Sequence, residues 1–200
     1  MRKIPSLFLR DFAGDPTCVT RTVNPDCLWV LAGAGIATKK WDGTACLVRE
    51  GALYVRYDCK RGKKPPAGFE PCQDADPKTG HWPGWIPAAM PAARWCIEAF
   101  EQMTKELGGQ RPTDGTYEAV GPKIGGNHEG GSSHVLVRHG MDVIPGVPTD
   151  YDALDAFLED YPIEGIVWHH CDDWNKKAEV RMAKIKRSDF GLPWPVFRGR

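Results

Sequence analysis

The run Ile36-Ala37-Thr38-Lys39-Lys40-Trp41-Asp42-Gly43-Thr44-Ala45-Cys46-Leu47-Val48 decides the fold class, together with its continuation Arg49-Glu50-Gly51-Ala52-Leu53-Tyr54-Val55-Arg56-Tyr57-Asp58-Cys59. From Ile36 to Cys59 it reads as two strands around a turn at Glu50-Gly51. In the second run Leu53, Val55, Tyr57 and Cys59 alternate with Tyr54, Arg56, Asp58 and Lys60, the period of a half-buried strand. Downstream, Lys60 to Trp85 is rich in Pro, Gly and charge and reads as a long surface loop. Pro91 to Leu107 is the clearest helix: Pro91 suits a first turn, Trp95, Cys96, Ala99, Phe100, Met103 and Leu107 form an apolar stripe, and Gly108-Gly109 stops it. Thr116–Gly121 and Ser133–Val137 are strands separated by a glycine-rich loop. Asp150–Tyr161 is a second helix, capped by Thr149 or Asp150, with Leu154, Phe157, Leu158 and Tyr161 inward. Ile163–His169 and Val180–Lys186 are further strands, followed by a tail with Pro193 and Pro195. Strands outnumber helices and do not alternate with them as a doubly wound sheet requires, so the expected class is α+β.

The chain has 200 residues and 22.2 kDa, 42% hydrophobic and 26% charged, which suits one domain spanning residues 1–200 and excludes wholesale disorder. No stretch approaches the ~20 apolar residues of a membrane span. The start MRKIPSLFLRDF lacks a signal-peptide core, so no membrane partner is expected. Seven cysteines are scattered without a CxxC pair, which fits reduced thiols and a cytoplasmic protein. A zinc site from Cys59, Cys72, His81 and Cys96 has spacings that match no trusted ligand pattern. His128 and the run His169-His170-Cys171 invite a metal reading as well. Adjacent strand residues point to opposite faces, however, and structural histidines are the plainer account.

Formal net charge is zero, from 26 basic and 26 acidic residues. The distribution is uneven. Arg56 to Lys64 holds five basic residues against Asp58, and Lys176 to Arg200 holds eight against Glu179 and Asp189. Such patches suit a polyanion, either a triphosphate or a nucleic-acid strand, and equally suit solvated basic faces.

The sharpest local motif is Lys40-Trp41-Asp42-Gly43 at the mouth of the hairpin, with Lys39 as a rival to Lys40. Alone, Asp42-Gly43 is an ordinary turn pair, and Glu118 and Glu164 are ordinary strand carboxylates. Lys184 and Lys186 lie two apart, so on a strand both ammonium groups share a face. They could equally guard an edge strand against aggregation. Eight tryptophans suggest base stacking; Trp95 reads as core, while Trp82, Trp85, Trp168 and Trp174 lie beside the motifs.

The order K-x-D-G, Glu118 in TYEAVGPKIGGN, Glu164 in PIEGIVWHH and the lysine pair in MAKIKRSDFG resembles the covalent nucleotidyltransferase superfamily of polynucleotide ligases and capping enzymes. GPKIGGN and KIKRSDFG are similar to the small stand-alone 5′–3′ RNA ligases. The resemblance runs from about Thr38 to Gly191. It implies an adenylation domain with antiparallel sheets flanking a nucleotide cleft, ATP-grasp-like in its core, that joins RNA 5′-phosphate and 3′-hydroxyl ends. In that reading Lys40 is the nucleophile that takes AMP from ATP, the x-D-G register of Asp42 and Gly43 selecting it over Lys39. Arg61 or Arg56 helps hold nucleotide and RNA, Glu118 binds the ribose, and Glu164 binds Mg²⁺ or Mn²⁺. Lys184 and Lys186 contact the phosphates.

An amine nucleophile must lose its proton, although lysine titrates near pH 10.4. Lys184 and Lys186 close to Lys40 would favour the neutral amine. Phosphoryl transfer needs positive charge around phosphorus and leaving group, which lysines, an arginine and a carboxylate-held metal supply.

The chain departs from the pattern in one respect. Relatives stack adenine on an aromatic residue after the middle glutamate, and SSHVLVRHG has none, leaving His134, Val137 or His139 to cover the ring. Fourteen residues follow Lys186, too few for an OB-type domain, so a minimal catalytic core is expected; a monomer is expected as well, and the resemblance implies a role in RNA repair. Two alternatives stand beside it: a minimal DNA ligase or nick sealer, and a nucleotide- or RNA-binding module without catalysis.

Overall fold

In the computed structural model residues 1–173 and 180–194 are described. Trp174, Lys176, Lys177, Glu179, Pro195, Arg198 and Arg200 lie outside them. Along the chain the elements are β1 (Phe8–Arg10), β2 (Val19–Val23), α1 (Leu28–Leu31), β3 (Gly35–Lys40), β4 (Thr44–Arg49), β5 (Ala52–Cys59), β6 (Glu70–Pro71), β7 (Trp82–Pro87), α2 (Arg94–Glu106), β8 (Gly115–Val120), β9 (Val135–Arg138), α3 (Tyr151–Asp160), β10 (Gly165–His170) and β11 (Met182–Lys186). The chain is mixed α and β, and its sheets are antiparallel. It divides into two compact units, one of Met1–Lys3 with Asp42–His139, the other of Ile4–Trp41 with Gly140–Arg200.

The first unit is a six-stranded sheet in the order β6-β7-β5-β4-β8-β9. Its β4–β5 hairpin turns where the sequence places it. Glu50 and Gly51 have φ of 53° and 73°, the left-handed pair that a two-residue hairpin needs, and the Glu50 N–H donates to Asp114 Oδ1 at 2.9 Å. α2 packs its Cys96, Ala99 and Phe100 onto the sheet face made by Cys46, Val48, Val55, Tyr117 and Ala119, a core of buried side chains. Each large one contributes roughly 1.5–3 kcal/mol. Three expectations shift here. α2 starts at Arg94 rather than Pro91, and Leu107 is 47% exposed because it falls past the last helical turn. The stretch Lys60–Trp85 is not all loop: Glu70-Pro71 pairs with β7, and Trp82 and Trp85 are strand residues opposite Cys59 and Arg56. Edge contacts of Phe69 with Tyr57 and Trp82 fix that crossing.

The second unit holds the sheet β11-β10-β3 and the hairpin β1–β2. Its core joins Leu7, Phe8, Val30, Leu154, Leu158, Ile166, Trp168 and Ile185. Asp150 caps α3 by accepting from the N–H groups of Asp152 and Ala153, while Tyr161 stays 44% exposed, stacked on Phe157 instead of turned inward. β10 begins at Gly165 and β11 at Met182, each two residues later than the sequence suggests.

The largest correction falls on the opening strand. Ile36–Val48 is not one arm of a hairpin. It is β3 in the second unit, a break at 41–43, and β4 in the first. The break has a local cause within the first unit: Asp42 bonds the His128 ring, its N–H donates to Glu129 Oε1 at 3.0 Å, and Gly43 lies so close to Ala119 that a Cβ would stand 2.1 Å from the carbonyl oxygen.

Candidate active site

β10 is the middle strand of its sheet, and Gly165 at its start faces Lys40 of β3 on one side and Lys186 of β11 on the other. Residues directly opposite in a ladder share a face, so Lys40, Gly165 and Lys186 lie together. The next row of that face is Thr38, Val167 and Lys184. Lys39 is paired with the fully buried Ile166 on the opposite face, and its amine sits over the Trp41 ring at 3.4 Å. Register alone therefore separates the two candidate nucleophiles. Lys40 belongs to the lysine face and Lys39 does not.

Glu164, one residue before β10, forms an ion pair with the Lys40 amine; the Glu164 side chain is 15% exposed and that of Lys40 23%. Such a half-buried pair is held by short-range charge and little screened by salt. Lys184 is the amine that the cluster perturbs: burial first, then the neighbouring Lys40 and Lys186 ammonium groups, lower its pKa from 10.5 to about 8. Nor do the two lysines guard a bare edge. The outer side of β11 is occupied, with Leu7 N–H donating to the Lys184 carbonyl at 2.8 Å and Lys184 N–H to the Pro5 carbonyl at 2.9 Å.

The structure thus brings together Lys40, Glu164, Lys184 and Lys186, four residues from three distant segments. The other candidates belong to the first unit. Asp42 and Gly43 form the kink already described. Glu118 stands on β8 opposite Ala45 and Val137, and its Oε2 is 2.8 Å from His139 Nε2. Arg56 donates to the Met1 carbonyl, lies 3.3 Å from Cys72 Sγ and covers the Trp85 ring. Arg61 is exposed and runs along Gly80.

His134 does not offer itself to a base. It is 6% exposed, stacked on Trp95 at 4.8 Å, bonded to Glu98 at 2.8 Å, and accepts the Lys123 N–H at 3.2 Å. The tryptophans divide likewise: Trp168 and Trp85 are core residues at 2% and 5% exposure. The imagined zinc ligands are dispersed among other partners. Cys59 bonds the Lys63 carbonyl, Cys72 meets Arg56, His81 pairs with Asp58, and Cys96 is in thiol contact with Cys46. Among the described residues the one grouping with metal-ligand proximity is His170, Cys171 and Asp172. There the Arg181 guanidinium already stands 3.1 Å from His170 Nδ1, a cation where a metal would sit.

Glu164 supplies one hard carboxylate oxygen donor beside the lysines. That suits Mg²⁺ or Mn²⁺ of the kind that takes one or two protein carboxylates and completes its shell with phosphate oxygens and water. Two features escaped the sequence reading. Gly165 was unremarked, although the pair Glu164-Gly165 opening an apolar strand is its signal. The bond from His139 to Glu118 joins residues 21 apart in sequence and has no local signature. No protein-family model matches the chain, and no curated protein does.

Proposed function

We propose that this protein is an ATP-dependent RNA ligase of the nucleotidyltransferase type, with an adenylation domain of the ATP-grasp-like kind. The observation that carries the reading is the convergence of Lys40, Glu164, Lys184 and Lys186 on one face of β3, β10 and β11. Residues singled out as separate motifs meet as three amines and a carboxylate, a composition suited to a polyphosphate.

In this reading the neutral Lys40 amine attacks the α-phosphorus of ATP. A P–N bond forms, the bond to the bridging oxygen breaks, and pyrophosphate leaves. Glu164 holds the amine in place beforehand. Lys184 and Lys186 place positive charge where the phosphates gather, and Lys184, with a pKa of about 8, can exchange a proton near neutral pH. A divalent ion at Glu164 would add charge on the phosphates when bound. The resemblance to the small RNA ligases gives Glu118 the ribose and Arg56 or Arg61 the RNA. AMP then passes to an RNA 5′-phosphate, and an RNA 3′-hydroxyl displaces it to leave a phosphodiester.

The test is the intact mass of the protein after incubation with ATP and Mg²⁺. The wild type gains one AMP that survives denaturation, and Lys40→Ala gains none while Lys39→Ala still does. A wild type without the adduct, freshly purified or incubated, overturns the reading in favour of a binding module. An adduct with sealing of nicked DNA but not of RNA moves the substrate assignment to DNA.

A further inference from the structure

Glu118 and His139 form a side-chain pair whose two ends are unequally satisfied. The Glu118 side chain is 12% exposed and that of His139 is 22%, with Oε2 and Nε2 2.8 Å apart. The other ring nitrogen, Nδ1, is buried and has no hydrogen-bond partner. The backbone of His139 is fixed, since its N–H donates to the Thr116 carbonyl at 3.1 Å. Among the described residues the ring's hydrogen bond is the one to Glu118, which therefore carries the polar share of its orientation. A buried nitrogen left without a partner opposes that arrangement, at the desolvation cost of an unsatisfied polar group.

We propose that His139 is the positioning residue for Glu118: it ties one carboxylate oxygen and presents Oε1 to the hydroxyl of a bound nucleotide's ribose. This rests on the reading of Glu118 as the ribose contact. The chemistry favours it. A carboxylate held through one oxygen cannot rotate freely, so the second keeps a defined direction and accepts from a hydroxyl with less ordering to be done on binding. Val137, opposite Glu118 in the β8–β9 ladder, adds an apolar neighbour on the same side. His139 acts through Glu118 and needs no contact with the reacting atoms.

The experiment is self-labelling with ATP, 2′-deoxy-ATP and 3′-deoxy-ATP for wild type, His139→Ala, His139→Gln, Glu118→Ala and the double variant. Expected are a rise of about tenfold in the KM for ATP in His139→Ala and a saturating rate within about threefold of wild type. Discrimination against whichever deoxynucleotide the wild type rejects falls toward unity. His139→Gln, whose amide can still donate to Glu118, recovers most of the loss. The double variant is no worse than Glu118→Ala, because the two residues act as one unit. A merely structural role would lower stability without moving the deoxynucleotide ratio, and His139→Gln keeps the test open if the alanine variant fails to fold. The proposal is overturned if the wild type labels and both His139 variants keep its KM and its ratio. A wild type that never labels removes the ligase reading itself, and the inference goes with it.

Discussion

At the residue scale the candidate site depends on a side chain that is missing. A Cβ at Gly165 would stand 2.1 Å from the Ile185 carbonyl oxygen and 2.8 Å from Lys186 Cα, both backbone atoms that cannot step aside cheaply. Gly165 also lies between Lys40 and Lys186 in the register, so any side chain there forces β11 away from β10 and opens the lysine face. Gly165→Ala should therefore lose roughly 2–4 kcal/mol of stability by denaturant titration, in the range of severe backbone and packing conflicts. On the ligase reading proposed above it should also lose AMP labelling under conditions where it remains folded. Retention of wild-type labelling and stability would show that the strands tolerate separation and that the close approach is incidental. The reading of Lys40 over Lys39 is likewise a matter of one residue, since a shift of one along β3 would exchange their faces.

Elements with a strong internal period were legible in the sequence. The alternation in Ala52–Cys59, the apolar stripe of α2 and the Asp150 cap each specify local structure through contacts a few residues apart, and each was read to within three residues. Asp150→Ala removes two accepted N–H bonds at the start of α3 and should cost about 1 kcal/mol, with α3 amides exchanging faster by hydrogen-exchange mass spectrometry. An unchanged exchange rate in α3 would mean that packing of Leu154 and Leu158 alone holds the first turn. What could not be read was set by distant partners. The break between β3 and β4 is made by His128, Glu129 and Ala119, some 76 to 87 residues away, and no pattern within Trp41–Gly43 announces them. The β6–β7 pairing inside the supposed loop depends on Phe69 meeting Tyr57 and Trp82, again a contact that composition hides.

At the scale of the whole molecule the chain passes between its two units three times, after Lys3, Trp41 and His139, so the order of motifs along the sequence is not the order of the fold. The lysine face was legible as a set of residue types in sequence. Its assembly was not, because the strands that carry it come from the two ends of the second unit. That assembly has a measurable consequence for global stability. Lys184 titrates near 8 in the folded protein against 10.5 for an unperturbed lysine, so between those values the unfolded chain binds more protons than the folded one. Stability contributed by this group therefore rises as pH increases from about 8 to about 10.5, and below pH 8 its charge is a standing cost on the order of 3 kcal/mol. Lys184→Met removes the charge and retains an unbranched apolar chain. It should be more stable than the wild type at pH 7, and the advantage should shrink as pH approaches 10.5. Because other groups titrate in the same interval, the quantity to follow is the difference in unfolding free energy between the two proteins at each pH. A difference that stays flat from pH 8 to 10.5 would mean that Lys184 keeps its ordinary affinity for a proton, and that the three amines do not act on one another as their placement requires. A slope of the expected sign, in a variant that also loses AMP labelling, would tie the instability of the lysine face to the adenylation proposed for it.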